Sequence, residues 1–294
     1  MDSIKQARKL FERTRVEHFA LGAFNADNQE TMLAIVRAAK AKNSPALIEL
    51  SQTEVEAIGL TNARDLTDNY KKEYGVEIYL NLDHAPSVEL AKSAIDAGYE
   101  FIHLDVSKDT TVEKNIVQTK EVVEYAKKTG ALIESEMEYF LGSSNVHNES
   151  VAIEEIKKHY TDPTKAKQFI EATGIDTFAA SVGNLHGLYP LPKVLNLKLL
   201  KEIRSSINCY ISLHGGSGTP SHFYKEAIAI GISKININSD MRRIYRNTLE
   251  QELDANPDEF AVIKLMPDVI KAVQEVIEEK MDLFGSTGKA TLYN

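Results

Sequence analysis

The chain has few of the residues on which several classes of protein depend. Its 294 residues include one cysteine, Cys209, and no tryptophan. A single cysteine excludes a disulfide framework and a four-cysteine zinc site. No stretch reaches the 18 or so consecutive apolar residues of a membrane span, and residues 1–22 predict a charged amphipathic helix without a signal-peptide core. We therefore expect a cytoplasmic protein.

Positive charge is also scarce. The 34 basic side chains are outnumbered by 43 acidic ones, which gives a net charge of -9, and no basic block is present. This balance argues against nucleic acid or a membrane surface as a partner. An anionic substrate must therefore meet a local positive feature, such as a metal ion, a helix N-terminus or backbone amides. With 43% hydrophobic residues the chain is globular, and we expect a single domain over residues 1–294.

Eight short apolar runs, each ending in polar or small residues, organise the chain. They are LGAFN ending at Asn25, PALIELS at Ser51, IYLNLD at Asp83, FIHLDVS at Ser107, ALIESE at Glu136, TFAASVG at Gly183, CYISLHG at Gly215 and KININSD at Asp240. Segments with helical periodicity separate them, for example residues 29–41, 87–97, 112–128 and 164–173. Alternating strands and helices predict a parallel sheet and an α/β fold.

The number of units favours a closed barrel over an open sheet. Eight strand–helix units in about 250 residues match a (β/α)8 TIM barrel, although an open doubly wound sheet has the same alternation. The polar stretch 143–150 lengthens the connection after the fifth run. Residues 257–281 are again helical in pattern, so we expect extra C-terminal helices that pack on the barrel or on a second subunit.

Three histidines follow predicted strands, at the end of a barrel where active sites form. His84 follows the third run, His186 the sixth, and His214 ends the seventh. A lone histidine of this kind is more often a hydrogen-bonded structural residue than a ligand. Three imidazoles at one barrel mouth, with a fourth position open, are nevertheless the ligand set of a catalytic zinc site.

Carboxylates accompany these histidines. Asp83 precedes His84, Asp105 ends the fourth run, and Glu136 shares a strand face with Glu134. Near a divalent cation a carboxylate ligates the ion, orients a histidine or carries a proton, whereas the structural alternative is a helix cap or a pair with lysine. For Asp83 we favour the functional interpretation. His103 lies deeper in its strand and is interpreted as a core histidine.

A glycine-rich turn predicts phosphate binding. The sequence LHGGSGTPSHF places Gly215, Gly216 and Ser217 between a strand and a helix, where backbone amides and a helix N-terminus attract an anion. In TIM barrels the phosphate site is formed after strands seven and eight. The eighth run supplies Asn236, Asn238 and Ser239 there. A phosphorylated substrate is expected.

Together these motifs resemble those of a known enzyme family. NLDHA, HLDVS, ESEM, TDPTKAKQFIEATGIDTFAASVGNLHGLYP, LHGGSGTP and KININSDMRR are similar to motifs of the class II, zinc-dependent ketose-bisphosphate aldolases, which include fructose-bisphosphate and tagatose-bisphosphate aldolases. The likeness runs from about Gly22 to Ala290. It implies a homodimer or homotetramer that reversibly cleaves a phosphorylated ketose to dihydroxyacetone phosphate and an aldehyde.

The resemblance also implies roles for individual residues. His84, His186 and His214 match the zinc ligands, and Asp83 matches the aspartate that transfers the proton of the C4 hydroxyl group. Asp105 and Glu136 match carboxylates associated with a second or displaced metal position. Phosphate and substrate contacts are implied for Gly187, Gly215, Ser217, Asn236, Ser239, Asn25 and Ser51.

The sequence departs from the family pattern at the aldehyde end. Where the family has a glycine-rich loop with a catalytic glutamate, this chain reads EMEYFLGSSNVHNES, which leaves Glu138 and Glu149 as candidate acids. Asn81 and Asn238 replace a histidine and an aspartate of the family motifs. The substrate is therefore left open, and a ketose phosphate with a modified or acidic C4–C6 segment is one candidate. Two other functions also stay open: a catalytically silent partner subunit, and a metal-dependent hydrolase.

Overall fold

The computed structural model of the chain describes residues 3–108 and 110–291. The strands, in chain order, are β1 (Leu21–Asn25), β2 (Ala46–Leu50), β3 (Ile78–Ala85), β4 (Phe101–Leu104), β5 (Leu132–Ser135), β6 (Gly142–Val146), β7 (Thr177–Ala179), β8 (His186–Leu188), β9 (Tyr210–Leu213) and β10 (Ile232–Ile237). Eight of them form a closed parallel barrel in the order β1-β10-β9-β7-β5-β4-β3-β2. Each barrel strand overlaps one of the eight predicted runs, although β3 continues to Ala85 and β10 begins at Ile232, both outside the predicted bounds. The TIM barrel is therefore confirmed, and the open sheet is excluded.

Helices surround this barrel. They are α1 (Ser3–Glu17), α2 (Gln29–Lys42), α3 (Gln52–Ile58), α4 (Leu60–Tyr74), α5 (Val88–Asp96), α6 (Val112–Ala126), α7 (Ile153–Lys158), α8 (Pro163–Thr173), α9 (Leu197–Ser206), α10 (Ser221–Ile230), α11 (Ser239–Ala255) and α12 (Val262–Leu283). The predicted C-terminal helix is α12, which packs on α2 and α11. In the part of the chain described here, no helix is both long and apolar enough to cross a bilayer.

Local sequence explains where several helices begin. Asn28 precedes α2, and its side chain accepts a hydrogen bond from the Thr31 amide while the Thr31 hydroxyl faces back to the Asn28 backbone. Asp162 caps α8 in the same way, with Pro163 at the first helical position. Caps of this kind stabilise a helix by about 1 kcal/mol each, because they satisfy amides that have no partner inside the helix.

The barrel strands present two different faces because side chains alternate along a strand. One face, with Ile48, Leu80 and Ile102 as examples, is buried against the helices in the larger apolar core. The other face points into the barrel. Its residues form successive layers, as along β3, where Tyr79 is followed two residues later by Asn81. The barrel interior is thus apolar at the N-terminal ends of the strands and polar further along.

Helix α1 closes the apolar end. Phe11 lies 4.9 Å from both Phe101 and Tyr210, measured between ring centroids. These two aromatic residues are the first residues of β4 and β9. Phe11 therefore covers the N-terminal entrance to the barrel, in a second apolar cluster that also contains Leu10 and Tyr79.

The polar connection after β5 contains structure that the sequence did not indicate. Part of the stretch 143–150 belongs to β6, which pairs in parallel with β8 outside the barrel. The His147 amide donates to the Leu188 carbonyl at 2.8 Å, and the His147 ring stacks on Tyr189 at 4.4 Å. This small sheet fixes the start of β8, and His186 is its first residue.

Candidate active site

A cavity of about 250 Å³ opens at the C-terminal ends of the barrel strands. The residues lining it are Asn25, Ser51, Thr53, Asp83, His84, Asp105, Tyr139, Phe140, Ser143, Ser144, His186, Gly187, His214, Gly215, Ser217, Asn236, Asn238, Ser239 and Arg242. Most of the residues predicted from the sequence are therefore together. Glu136 and Gly216 do not line the cavity: Glu136 is fully buried, and the Gly216 amide donates to the Asn236 carbonyl at 3.0 Å.

The three histidines predicted as ligands meet in this cavity. The ring centroid of His84 lies 4.7 Å from that of His214 and 5.1 Å from that of His186. The His186 and His214 centroids are 6.1 Å apart. Two barrel strands, β3 and β9, and the outer sheet thus bring together side chains separated by up to 130 positions in the sequence.

Two carboxylates fix which nitrogen of each ring carries the proton. His84 Nδ1 donates to Asp105 at 2.8 Å, and His214 Nε2 donates to Glu134 at 2.6 Å. When both rings are neutral, the other nitrogen of each ring is a lone-pair acceptor, and these two nitrogens face each other at 3.0 Å. Two lone pairs at this distance repel unless a proton or a cation lies with them. The donor set therefore fits a divalent metal ion with oriented histidine ligands.

The charge states agree with this interpretation. Burial alone would lower the pKa of His84, but Asp83 and the hydrogen-bonded Asp105 outweigh it and raise that pKa to about 9. Burial lowers the pKa of His214 to about 3 even though Glu134 opposes the change, and burial with nearby positive charge holds the pKa of His186 well below its usual range. His186 and His214 are thus neutral, the form that binds metals, and His84 must release its proton to do so.

Other acidic and basic groups extend the cluster. Ligand-capable atoms of Asp83, His84, His103 and His214 all lie within 4.8 Å of one another, and so do those of His84, Asp105 and Glu136. His186 belongs to neither group, although it lines the same cavity.

His103 and Glu136 meet below the cavity. His103, interpreted from the sequence as a core histidine, is fully buried, but its Nε2 lies 3.3 Å from a Glu136 oxygen. Neither of these two atoms has a hydrogen-bond partner among the described residues. Buried polar atoms without partners are costly, and burial with the neighbouring Asp105 raises the pKa of Glu136 well above its usual range.

Asp83 is held as an ionised carboxylate. One oxygen accepts a hydrogen bond from the Asn236 amide at 3.1 Å and the other accepts one from Asn25 at 3.2 Å. Burial would raise its pKa, but the positive charge of His84 and the contact with His103 hold the pKa of Asp83 well below its usual range. The next residue, His84, has a φ of +46°, a strained value for a histidine. Asp83 is thus a fixed base beside the histidine cluster.

A buried ionic network supports the cluster from inside the barrel. Lys234 is fully buried and contacts Glu49 at 3.2 Å and Glu134 at 2.9 Å. Glu49 in turn accepts hydrogen bonds from Asn81 at 2.7 Å and Asn236 at 3.0 Å. The network links Glu134, which contacts His214, to the Asn236 side chain, which contacts Asp83. The histidine cluster and the base are therefore held by the same group of buried residues.

The glycine turn meets the loops after β8 and β10 at the other end of the cavity. Gly215 has a φ of +61°, and a Cβ atom there would lie 2.2 Å from the Leu185 carbonyl oxygen, so only glycine fits. The Ser217 hydroxyl accepts hydrogen bonds from the amides of Asn238 at 3.2 Å and Asp240 at 3.1 Å. This serine therefore ties the turn to the N-terminus of α11, a favourable place for an anion.

Neither candidate acid lines the cavity. Glu138 lies outside the cavity lining and accepts a hydrogen bond from the Thr161 hydroxyl at 2.9 Å. Glu149 is also outside the lining, and its side chain is exposed. The assignment of Glu138 or Glu149 as the catalytic acid therefore stays a prediction, and the location of the two side chains does not support it.

The cavity also contains residues that sequence reasoning missed. Phe140 stacks on the His214 ring at 5.5 Å, and Tyr139 lies beside it. Arg242 lines the mouth and pairs with Asp27 and Glu54. Arg242 directly follows KININSDM in the sequence, next to residues predicted to bind phosphate. That position could have indicated that Arg242 belongs to the site. For Lys234 the signal was a charged residue inside a predicted strand.

Fold and site together define a TIM barrel with a polar mouth, whose side chains could hold a metal ion. The family model for "Fructose-bisphosphate aldolase class-II" matches residues 5–289. The chain is 34% identical to the fructose-bisphosphate aldolase of Streptococcus pneumoniae, with 98% of this chain and 100% of that protein covered. It is 30% identical to the sulfofructosephosphate aldolase of Alkalicoccus urumqiensis, with 97% and 98% covered. The crystal structure of the YdjI aldolase from Escherichia coli K12 has a TM-score of 0.82 at 29% identity, with 97% and 98% covered.

The chain belongs to the class-II fructose-bisphosphate aldolase family. It is therefore a class II aldolase, an enzyme of the carbon–carbon lyase type, and the predicted aldol chemistry on a phosphorylated ketose agrees with this family. The family is generally metal-dependent, which fits the cluster of ligand-capable side chains at the barrel mouth.

Proposed function

We propose that this protein is a zinc-dependent aldolase that reversibly cleaves a phosphorylated ketose to dihydroxyacetone phosphate and an aldehyde. The observation that carries the proposal is the pair of imidazole nitrogens of His84 and His214 that face each other at 3.0 Å beside the ionised Asp83. This arrangement combines a cation site with a base, as cleavage of a carbon–carbon bond next to a carbonyl group requires.

In this proposal His84, His186 and His214 hold the zinc ion, and Asp105 and Glu136 offer a second position for it. The ion supplies Lewis acidity that stabilises negative charge on the substrate oxygens. Asp105 and Glu134 keep the lone pairs of His84 and His214 directed to one point.

Asp83 acts as the base. Its carboxylate takes the proton of the C4 hydroxyl group, the C4 oxygen becomes the aldehyde oxygen, and the C3–C4 bond breaks with its electron pair left on C3. C3 then takes a proton from a further acid, which gives dihydroxyacetone phosphate. Condensation is the reverse, with the proton returned from Asp83. The amides of Asn25 and Asn236 hold both oxygens of the carboxylate, so its position does not change during the transfer.

The phosphate group binds at the glycine turn. We assign its contacts to Gly187, Gly215, Ser217, Asn236, Asn238 and Ser239, with Asn25 and Ser51 toward the remainder of the sugar, and we leave out Gly216 because its amide is bonded to the Asn236 carbonyl. Arg242 also borders the cavity, and its charge is shared with Asp27 and Glu54. We infer that selection among ketose phosphates takes place at the aldehyde end of the substrate, where the chain departs from the family motifs.

We further propose a cytoplasmic enzyme of carbohydrate metabolism that forms homodimers or homotetramers, as the family resemblance implies. Its partner is then a small phosphorylated sugar, without nucleic acid or membrane.

The test is a coupled assay for dihydroxyacetone phosphate with a panel of ketose phosphates, with and without a chelator. The panel includes fructose bisphosphate, tagatose bisphosphate and sulfofructose phosphate. We expect release of dihydroxyacetone phosphate from at least one compound, loss of the activity with chelator and its return with Zn²⁺. Release of inorganic phosphate would indicate a hydrolase instead. A zinc-loaded protein that turns over no compound would indicate a catalytically silent subunit.

A further inference from the structure

Lys193 is a buried lysine beside the glycine turn that the proposed reaction does not use. It lies between β8 and α9 and is 4% exposed. Its ammonium group donates to three backbone carbonyls: those of Leu185 at 2.6 Å, Gly215 at 2.8 Å and Ser217 at 2.5 Å. These residues belong to the loops that carry two of the predicted ligand histidines and to the glycine turn itself.

The partners of Lys193 are unusual for a buried cation. A lysine ammonium group has three donors, and three neutral carbonyls use all of them without cancelling the charge. Asp240 is a nearby carboxylate that acts on Lys193, but it forms an ion pair with Lys280 at 3.0 Å. Burial lowers the pKa of Lys193 to about 7, as expected for a charge that lacks a full counter-charge. An anion bound at the turn would compensate that charge.

Three converging carbonyl oxygens are also the ligands with which proteins hold a free monovalent cation. Here the lysine side chain fills that place. Lys193 contacts the carbonyls of Gly215 and Ser217. Its charge is therefore fixed beside the glycine turn, to which we assign the phosphate group. The same contacts tie the loop before His186 to the loop after His214.

We propose that Lys193 is a tethered cation of the phosphate site, which occupies a carbonyl cradle suited to a free monovalent cation and supplies the positive charge that a bound phosphate group requires. It is a positioning and charge-supplying residue. The proposal rests on the proposed function, because that function places a phosphate group at the turn. It implies that the wild-type enzyme binds phosphate without added K⁺ or NH₄⁺.

The experiment compares four variants with the wild type, with tetramethylammonium as the only added monovalent cation. Lys193→Met removes the charge and the donors, Lys193→Gln removes the charge and keeps amide donors, and Lys193→Ala opens the cradle. Lys198→Met, at an exposed position of α9, is the matched control. Inorganic phosphate affinity is measured by calorimetry, and KM and kcat are measured with the best ketose phosphate. Zinc content and circular dichroism check that each variant is folded.

We expect the Met and Gln variants to bind inorganic phosphate about tenfold or more weakly and to show a similar rise in KM, because a hydrogen bond to a charged group is worth more than a neutral one. The Lys198→Met control should match the wild type. In the Ala variant NH₄⁺ or K⁺ should restore much of the affinity, whereas added tetramethylammonium should not, because it is too large for the cradle.

Several results would overturn the proposal. They are unchanged phosphate affinity in both the Met and Gln variants, full affinity in the Gln variant alone, and an Ala variant that responds to NH₄⁺ no more than the wild type does. If the Met variant does not fold, the phosphate affinity of the Gln variant and the cation response of the Ala variant still test the proposal. A wild type that binds phosphate through Lys193 but cleaves no ketose phosphate would disprove the proposed function and leave the tethered cation standing.

Discussion

The two ends of the barrel interior are built from the same strands but have opposite chemistry. At the N-terminal end Phe11, Phe101 and Tyr210 pack ring against ring, with Leu10 and Tyr79 in the same cluster. Two residues further along the strands the inward positions are polar or charged, and four residues along they reach the cavity. On β4, for example, Phe101 is followed by His103 and then by Asp105.

The two ends of the barrel therefore have different roles. The apolar end stabilises the fold, and the polar end carries the site. The apolar end gains free energy from burial, whereas the polar end places charges where each one needs a partner across the barrel. Lys234 between Glu49 and Glu134 shows the requirement, because each of these groups would be costly if left alone. Substitutions at the two ends should therefore affect different measurements.

Replacing a proposed metal ligand should have the largest effect. We expect His214→Ala to lose bound zinc and to lower kcat by about ten-thousandfold, because the Lewis acidity of the ion is worth several kcal/mol. Zinc content by mass spectrometry and the dihydroxyacetone phosphate assay provide the readouts. His222→Ala, at an exposed position of α10, is the control. A zinc content in His214→Ala equal to that of the wild type would contradict the assignment.

Replacing the base should separate metal binding from turnover. We expect Asp83→Ala to keep its zinc and to lower kcat by about a hundred- to thousandfold, since it removes general base catalysis and leaves the histidines in place. Zinc content and kcat are measured on the same preparation. If kcat stayed within a few-fold of the wild type, another group would be the base.

Opening the apolar end should cost stability and spare catalysis. We expect Phe11→Ala to reduce the free energy of unfolding by about 3–5 kcal/mol, because a buried ring is lost and a cavity remains. Urea unfolding measures this change. At a temperature where the variant is folded, its kcat and zinc content should equal those of the wild type, and a large fall in kcat would show that the two ends are not independent.

The pH dependence of stability should reveal the buried network. Burial, together with Asp83, raises the pKa of Glu49 to about 8, although Lys234 opposes it. The folded state therefore favours the protonated form, and the stability contributed by Glu49 is fully present below its usual pKa near 4.5 and is lost as the pH rises through about 8.

We expect the wild type without metal to lose about 1–3 kcal/mol more than Glu49→Gln between about pH 5 and about pH 9. Unfolding by urea at a series of pH values measures the difference. Glu12→Gln, at an exposed position of α1, should behave as the wild type does. Parallel pH profiles for wild type and Glu49→Gln would show that Glu49 does not titrate in this range.

The fold could be predicted because eight short, β-rich runs, each ending in polar or small residues, alternate with segments of helical periodicity. The small sheet of β6 and β8 could not, since GSSNV is exposed and polar and pairs only because the barrel brings His186–Leu188 beside it. Local sequence determines the barrel units, but only the folded chain creates this pairing.

The site was predictable where a residue follows a strand. His84 and His214 lie at strand ends, so the barrel alone brings them to one mouth. The contacts behind them were not predictable, because the partner of His214 is Glu134, 80 positions away, and the choice between a core role and a site role for His103 depends on its distance from Glu136. The roles of these histidines depend on side-chain contacts across the barrel, and the spacing of residues in the sequence does not predict those contacts.

The most direct test of the account is anomalous diffraction from a crystal of the zinc-loaded protein, collected on both sides of the zinc absorption edge. The account predicts one strong peak between the rings of His84, His186 and His214, with any second peak beside Asp105 and Glu136. A crystal whose zinc peaks all lie away from these three rings would contradict it.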